Sequence, residues 1–322
     1  MSVDLGVYEV NTIVVGDCLE VMRQMPDECC DLIFADPPYN KGKADWDKGH
    51  DWHDWVAGAV RVLKFSGALW IIHDDPDELL DISRFIVETR GPPRINWITW
   101  DKYNGNPTRQ AGGGPMMGFT IIGGLRSFQR MAEYLIYHAD RGLLGKRLLK
   151  ARRFCGLTCD AIERRLGRVD SMGRGSRLFY RWERGESIPT KADYVHAMLV
   201  CRGQTVRQLD LVHHPKLCAE YEDLSPVFNN PGLVSSVWQG PPAKRTEHET
   251  PKPEWLLERI ISTTSNEGDL VADFFMGSGT TAVAADRLGR NFFGCDINRQ
   301  YVDMALKRLD DDRAKRAQLE LF

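Results

Sequence analysis

Four consecutive residues, Asp36-Pro37-Pro38-Tyr39, set a carboxylate, a stiff turn and an aromatic ring side by side. They follow the apolar run Leu32-Ile33-Phe34-Ala35, which reads as a short buried strand. Two prolines in succession cannot continue a hydrogen-bond ladder, so the chain leaves the sheet here. The group therefore stands at the strand's C-terminal end, the edge at which open α/β sheets bind ligands. The carboxylate accepts hydrogen bonds, and so does the Pro37 carbonyl, held in place by the ring that follows. Two adjacent acceptors match the two hydrogens of a nucleobase amine. Such an amine is a poor nucleophile because its lone pair is delocalised into the ring. Acceptors on its hydrogens favour the pyramidal form and the cation that develops during attack. Tyr39 offers a flat face on which the same base can stack. The chemistry that suits this group is alkylation of an amino nitrogen.

A second constellation lies near the other end of the chain. Leu270 to Phe275 reads as a strand, Met276-Gly277-Ser278-Gly279 as a tight turn and Thr280 to Leu288 as a helix. Glycines there let the backbone approach a ligand closely at a helix N-terminus. The next strand, Asn291 to Cys295, ends at Asp296, where a carboxylate can hold ribose hydroxyls. Together these form an adenosine-binding unit. Gly277-x-Gly279-x-x-Ala282, with Asp296 nineteen positions after Gly277, also satisfies the dinucleotide fingerprint. A nicotinamide-dependent oxidoreductase therefore competes on local residues alone. Position counts against it, because fewer than fifty residues remain where a dinucleotide fold needs several more strands. The missing strands must lie upstream, in residues 10–140, with Thr12 to Val15 completing the cofactor half beside Asp296.

The elements that position these groups alternate. Strands are expected at Thr12–Val15, Leu32–Ala35, Gly67–Ile72, Ile95–Trp100 and Glu133–His138, and helices at Leu19–Met25, Asp54–Leu63 and Asp77–Thr89. The pattern predicts an α/β fold with a Rossmann-like, mostly parallel sheet and helices on both faces. Near Asn40 to Trp55 the chain is rich in Asp, Lys, His and Trp, and a substrate-covering loop is expected. His50, Asp51, His53 and Asp54 lack the spacing of a metal site, so no metal is expected. The eight cysteines lack paired Cys-x-x-Cys spacing, which points to reduced thiols and a cytoplasmic protein. No run is long enough to span a membrane and the polar N-terminus does not read as a signal peptide.

Residues 141–245 differ in texture from the flanking segments 1–140 and 246–322. Between Arg141 and Glu186 there are 13 Lys/Arg against 5 Asp/Glu, a local net of +8 in a chain whose total is −3. Such asymmetry is the footprint of a nucleic-acid surface. Helices are expected at Thr158–Leu166 and Ser176–Arg184, and Cys155 and Cys159 read as core thiols one helical turn apart. The run from Phe179 to Glu186, followed by Ile188-Pro189-Thr190, resembles the recognition-helix end of phage-repressor-type helix-turn-helix domains. An Arg-rich helical insert that grips phosphate without reading sequence fits the same residues.

Taken together, Asp36 to Tyr39 and Phe275-Met276-Gly277-Ser278-Gly279 resemble the catalytic motif and cofactor loop of S-adenosylmethionine (SAM)-dependent DNA amino-methyltransferases of the β arrangement. In that family the catalytic tetrapeptide comes first, then the target-recognition region, then the cofactor loop, a circularly permuted order that this chain shares. The resemblance implies transfer of methyl from SAM to the amino group of a base flipped out of double-stranded DNA. Asp36, Pro37, Pro38 and Tyr39 would be catalytic. Cofactor contacts would come from Asp17, Cys18 and Lys252, the last within Thr250-Pro251-Lys252-Pro253 where the family commonly has Thr-Gln-Lys-Pro. Asp273, Phe275, Gly277, Ser278, Gly279, Thr280 and Asp296 would complete the cofactor set. Arg126, Arg130, Arg177, Arg181 and Arg184 would meet DNA. An Asp at the first motif position implies adenine N6 rather than cytosine N4. An RNA methyltransferase and a non-catalytic DNA-binding regulator are the rival readings. A homodimer and a cognate restriction endonuclease are left open.

Overall fold

The computed structural model describes residues 4–39, 51–89, 91–101, 119–122, 125–128, 132–140, 142–172, 174–184, 187–203, 214–225, 227–228, 236–243 and 251–319. The chain divides into two units, Met1–Ala139 with Val227–Phe322, and Asp140–Pro226.

The first unit opens with β1 (Thr12–Val15), α1 (Cys18–Gln24), β2 (Cys30–Ala35), α2 (Trp52–Val62), β3 (Leu63–His73) and α3 (Pro76–Glu88). It continues with β4 (Arg94–Asp101), β5 (Phe119–Ile122), β6 (Leu125–Phe128) and β7 (Ala132–His138). After the second unit come β8 (Val237–Gln239), α9 (Glu254–Thr264), β9 (Leu270–Asp273), α10 (Thr280–Arg287), β10 (Asn291–Asp296) and α11 (Arg299–Leu319). Eight strands form one sheet in the order β1-β10-β9-β2-β3-β7-β4-β8. All neighbours run parallel except the two pairs made by β7, which is antiparallel to both β3 and β4. Val15 lies opposite Asp296 in the β1–β10 ladder, so the sheet is closed from both ends of the chain as the sequence requires.

Alternation along each strand builds two cores. Leu32, Phe34, Trp70, Val271 and Phe292 face α9, α10 and α11, meeting Leu256, Ile260, Val283 and Ala305. Ile33, Leu69, Ile71, Ala272 and Phe293 face α1, α2 and α3, meeting Met22, Val56, Ala59, Leu79 and Ile82. Helices on both faces bury near-continuous apolar strands, as a parallel sheet demands. Trp70 marks the centre of the first core: its indole N–H donates to the Thr264 hydroxyl at 2.9 Å and its ring stacks on Tyr137.

Three local features differ from the sequence expectation. The strand expected from Gly67 begins at Leu63, because α2 stops at Val62 and Leu63 pairs at once with Cys30. The antiparallel pair of β5 and β6 falls where the sequence offered no strand expectation. The last helix, which the sequence carries from Arg299 towards Leu309, continues to Leu319. Apolar burial has faded there, but Arg287 with Asp312, Arg313 with Asp286 and Arg316 with both acids tie it down.

The second unit has a helical core of its own. It holds α4 (Leu143–Cys155), α5 (Cys159–Arg165), α6 (Leu178–Glu183), α7 (Lys191–Cys201) and α8 (Pro215–Leu224). Leu144, Leu148, Ile162, Phe179, Trp182, Tyr194 and Met198 meet at its centre. Thr158 caps α5 by accepting the Ala161 N–H at 3.1 Å. Cys155 and Cys159 are not on one helix: Gly156, at φ +70°, ends α4 between them. Among the described residues no helix is long and apolar enough to cross a membrane.

Candidate active site

The sheet order reverses between β9 and β2: from β2 the chain proceeds outward to β3, and from β9 it proceeds the other way to β10. That is a topological switch point, with the crevice outside the strand ends. Phe34 lies opposite Asp273 in this pairing, so the β2 exit and the β9 exit reach the crevice at the same height. Asp36-Pro37-Pro38-Tyr39 leaves from one side and Phe274 to Gly279 from the other.

On the β9 side Asp273 is buried and oriented. One carboxylate oxygen accepts the Phe275 N–H at 2.9 Å and the other accepts the Thr281 hydroxyl at 2.6 Å. Burial raises its pKa to about 7 against those two hydrogen bonds, with the charges of Asp36 and Asp296 adding to the rise. The turn that follows needs glycine twice, Gly277 at φ +50° and Gly279 at φ +78°. A Cβ on Gly279 would also lie 2.7 Å from the Ala305 Cβ of α11. Asp296 accepts the Gly277 N–H at 2.9 Å and the Asn298 N–H at 2.8 Å, which fixes both of its oxygens relative to the turn. The hydroxyls of Ser278 and Thr280 turn towards Arg308, at 3.3 and 2.9 Å, and Arg308 is in turn held by Glu254 at 2.6 Å. Thr280 donates to the Lys252 carbonyl at 3.2 Å, so the turn grips the segment that carries Lys252. Phe275 stands edge-on to Trp55.

At the tip of β1, Asp17 caps α1, accepting the Leu19 and Glu20 N–H groups at 2.9 and 3.3 Å. Burial and the neighbouring Asp17 charge push the Cys18 thiol up to about 12, so it stands as a neutral thiol.

On the β2 side the Asp36 carboxylate is engaged at both oxygens. Tyr39 donates its hydroxyl to one at 2.7 Å and the Lys252 ammonium sits 2.6 Å from the other. Lys252 also lies 3.6 Å from a Glu133 oxygen at the start of β7 and 5.6 Å from the centre of the Tyr39 ring. Burial alone would lower the Lys252 pKa, but the Asp36 and Glu133 carboxylates outweigh it and hold it at about 12. Burial and the Asp36 charge keep the Tyr39 phenol far above its ordinary range, so it remains a donor. The Tyr39 ring packs 4.3 Å from His73, which is buried at the C-terminal end of β3. His73 is itself oriented, accepting the Asp75 N–H at Nδ1 and facing Glu78 with Nε2.

Over this geometry lies the match to known proteins. A family model described as DNA methylase, of the N6/N4 type, matches residues 30–307. The chain belongs to that family. The type II methyltransferase M1.MboII of Moraxella bovis is 29% identical over 92% of this chain and 95% of its own length. The DNA adenine methyltransferase YhdJ of Escherichia coli K12 is 27% identical over 94% of this chain and 83% of its own. The crystal structure of an M1.HpyAVI–SAM complex has the same fold, with a TM-score of 0.50 and 19% identity over 92% of this chain and 98% of that one.

The second unit carries the basic residues that the sequence puts forward for DNA. The buried Glu163 carboxylate accepts the backbone N–H groups of Arg177 and Phe179 at 2.7 and 2.6 Å, while Asp160 accepts that of Gly175 at 2.8 Å. These bonds fold the glycine-rich turn and start α6 at Leu178, two residues later than the sequence suggests. Arg152 forms a two-pronged pair with Glu183, and the Cys159 thiol donates to the same carboxylate at 3.4 Å. Arg177, Arg181 and Arg184 are exposed, Arg184 donating to the Tyr180 hydroxyl at 2.8 Å.

Arg126 falls in β6, with its side chain outside the described residues, and Arg130 lies outside them altogether. His50 and most of the expected covering loop lie outside them too; Asp51 caps α2 and pairs with His53. Among the described residues no His, Cys, Asp and Glu cluster could hold a metal. Sequence reasoning missed Glu133, His73 and Arg308. The first two carried a weak signal, a polar residue at the end of an apolar strand run, which is the signal that exposes Asp36.

Proposed function

We propose that this DNA methylase is a site-specific methyltransferase that moves a methyl group from SAM to the exocyclic N6 of an adenine flipped out of double-stranded DNA. The observation that carries this reading is the oriented Asp36 carboxylate, on the residue that follows the switch-point strand directly and across the crevice from the glycine turn.

The residues present suit such a donor. Burial raises the Asp273 pKa most, the Asp36 and Asp296 charges add to the rise, and a cationic ligand relieves that repulsion. When bound, SAM supplies a methyl group on a positively charged sulfur. The Gly277–Gly279 turn would let the backbone approach the donor, Asp296 would take its ribose hydroxyls, and Asp17 and Cys18 would flank its adenine. Lys252 was expected among the donor contacts; its ammonium position on Asp36 argues for work at the target base instead.

At the target, Asp36 and the Pro37 carbonyl would each accept one hydrogen of the amine, aiming its lone pair at the methyl and favouring the developing cation. Tyr39 would stack on the base from a ring steadied by His73. Solvent takes the surplus proton after transfer. Adenine is favoured over cytosine by the Asp at the first motif position, and the similarity to YhdJ agrees. Arg177, Arg181 and Arg184 would meet DNA phosphates or bases, joined by Arg126 and Arg130.

Nucleoside mass spectrometry tests the reading. DNA from a methylation-free host, incubated with the protein and labelled SAM, should yield N6-methyladenine, and Asp36→Ala should abolish it while SAM affinity changes only a few-fold. N4-methylcytosine would overturn the base assignment, and label in RNA alone would overturn the DNA reading.

A further inference from the structure

Glu133 has no part in orienting the amine, yet it is buried beside the groups that do. It sits on a rigid element: within β7 it pairs with Trp100 of β4, and the next residue, Tyr134, pairs with His73 of β3. Its carboxylate and that of Asp36 share one cation, the Lys252 ammonium, which lies 2.6 Å from Asp36 and 3.6 Å from Glu133. The Lys252 side chain is 9% exposed, so the three charges meet largely out of water.

That arrangement poses a conflict for amine methylation. The ammonium stands on one of the two Asp36 oxygens, in hydrogen-bonding range, where an N–H of the target amine would have to donate. A cation held there also opposes the positive charge that develops on the amine during attack. Expelling the ammonium into the protein without a partner would leave a buried unpaired charge, which is more costly still. A second carboxylate already 3.6 Å from the ammonium resolves both demands. The movement belongs to the side chain, because Pro251 and Pro253 stiffen the backbone and Thr280 holds the Lys252 carbonyl. Lysine's flexible four-carbon stem allows it.

We propose that Glu133 is a positioning residue that takes the Lys252 ammonium from Asp36 as the target amine arrives, so that Lys252 marks the place of the amine and then yields it. The inference rests on the methyl-transfer reading above. Glu133 thereby acts on turnover through Lys252 rather than by touching the base.

The test measures kcat, KM for DNA and SAM affinity for the full chain on duplex DNA bearing the site that the unmodified protein methylates. Glu133→Gln keeps the shape but removes the charge that draws the ammonium away, and kcat should fall about tenfold or more with SAM affinity within about threefold. Adding Lys252→Met to Glu133→Gln should recover part of that loss, because no ammonium then competes for Asp36. A merely structural role predicts instead that the two losses multiply. Glu133→Asp, which keeps the charge on a shorter stem, should fall between the unmodified protein and Glu133→Gln, and it serves if the glutamine variant misfolds. Unchanged kcat in Glu133→Gln or Glu133→Asp, or multiplied losses in the double variant, would overturn the proposal while leaving the function intact. An unmodified protein that binds SAM but labels no DNA would overturn the function itself, and this inference with it.

Discussion

Asp273 makes stability depend on pH in a direction opposite to that of most carboxylates. Its pKa rises from 3.8 to about 7, chiefly through burial and despite bonds from Thr281 and Phe275. Below pH 3.8 both folded and unfolded chains carry the proton. Between 3.8 and 7 the folded chain holds it and the unfolded chain does not, so this group's contribution to stability falls as pH rises through that window. Integrating the two titrations from pH 5 to pH 8 gives a loss of about 2.5 kcal/mol from this side chain, at 1.36 kcal/mol per pKa unit. Asp273→Asn removes the titration. Its carbonyl can still accept the Phe275 N–H, and its amide can donate to the Thr281 oxygen once that hydroxyl rotates. Urea unfolding of the two proteins at pH 5 and pH 8 isolates the effect, because every other titrating group is common to both. The variant should gain on the unmodified protein by about 2.5 kcal/mol between the two pH values. Infrared spectra at pH 6 should show one protonated carboxyl stretch that the variant lacks. A stability difference equal at both pH values to within about 0.5 kcal/mol would refute the argument that burial dominates at this site.

Two further perturbations probe the DNA contact and the glycine turn. Replacing Arg181 and Arg184 together by Ala should weaken DNA binding and reduce the slope of log affinity against log salt by about 2, since each phosphate contact contributes about 0.9; an unchanged slope in a salt titration would remove α6 from the interface. Gly279→Ala should cost about 2 kcal/mol or more in urea unfolding, because it adds a left-handed alanine and a Cβ only 2.9 Å from the Ala305 Cα. Gly289→Ala, equally left-handed at φ +71° but with nothing nearer than 3.6 Å, should cost only about 1 kcal/mol. Equal losses would show that contact with α11 plays no part.

The strands that carry the chemistry were legible because each is a short apolar run with an abrupt chemical end. Leu32 to Ala35 stops at two prolines and Leu270 to Phe275 at a glycine turn, and such ends cannot be anything but sheet exits. The pairing of β1 with β10 was legible because Thr12 to Val15 is a β-branched run ended by Gly16-Asp17, an acid delivered to the same edge as Asp296. The antiparallel run of β7 was not legible: its residues alternate as any buried strand does, and direction depends on where the intervening chain crosses. The start of α6 was misjudged for a related reason. Glu163 reaches fourteen and sixteen residues ahead to bind two backbone N–H groups, a contact that no local propensity encodes. The partners of the Lys252 ammonium were not legible either, because they come from the end of β2 and from β7, some 216 and 119 positions away.

The distribution of charge at the strand ends explains why one cation is built into the site. Asp17, Asp36, Asp273 and Asp296 all end at the carboxyl edge, at the tips of β1, β2, β9 and β10. A parallel sheet brings these acids together, and the Asp36 and Asp296 charges add to the rise that burial gives the Asp273 pKa. Much of that repulsion is met by fixed dipoles: backbone N–H groups reach Asp17, Asp273 and Asp296 from the turns that follow. The proline that follows Asp36 has no N–H to give, so this carboxylate takes a phenol and an ammonium from side chains instead. Side chains can be displaced where turn amides cannot. The same prolines that force the chain out of the sheet thus leave Asp36, the acid proposed to meet the amine, with side-chain partners at both oxygens.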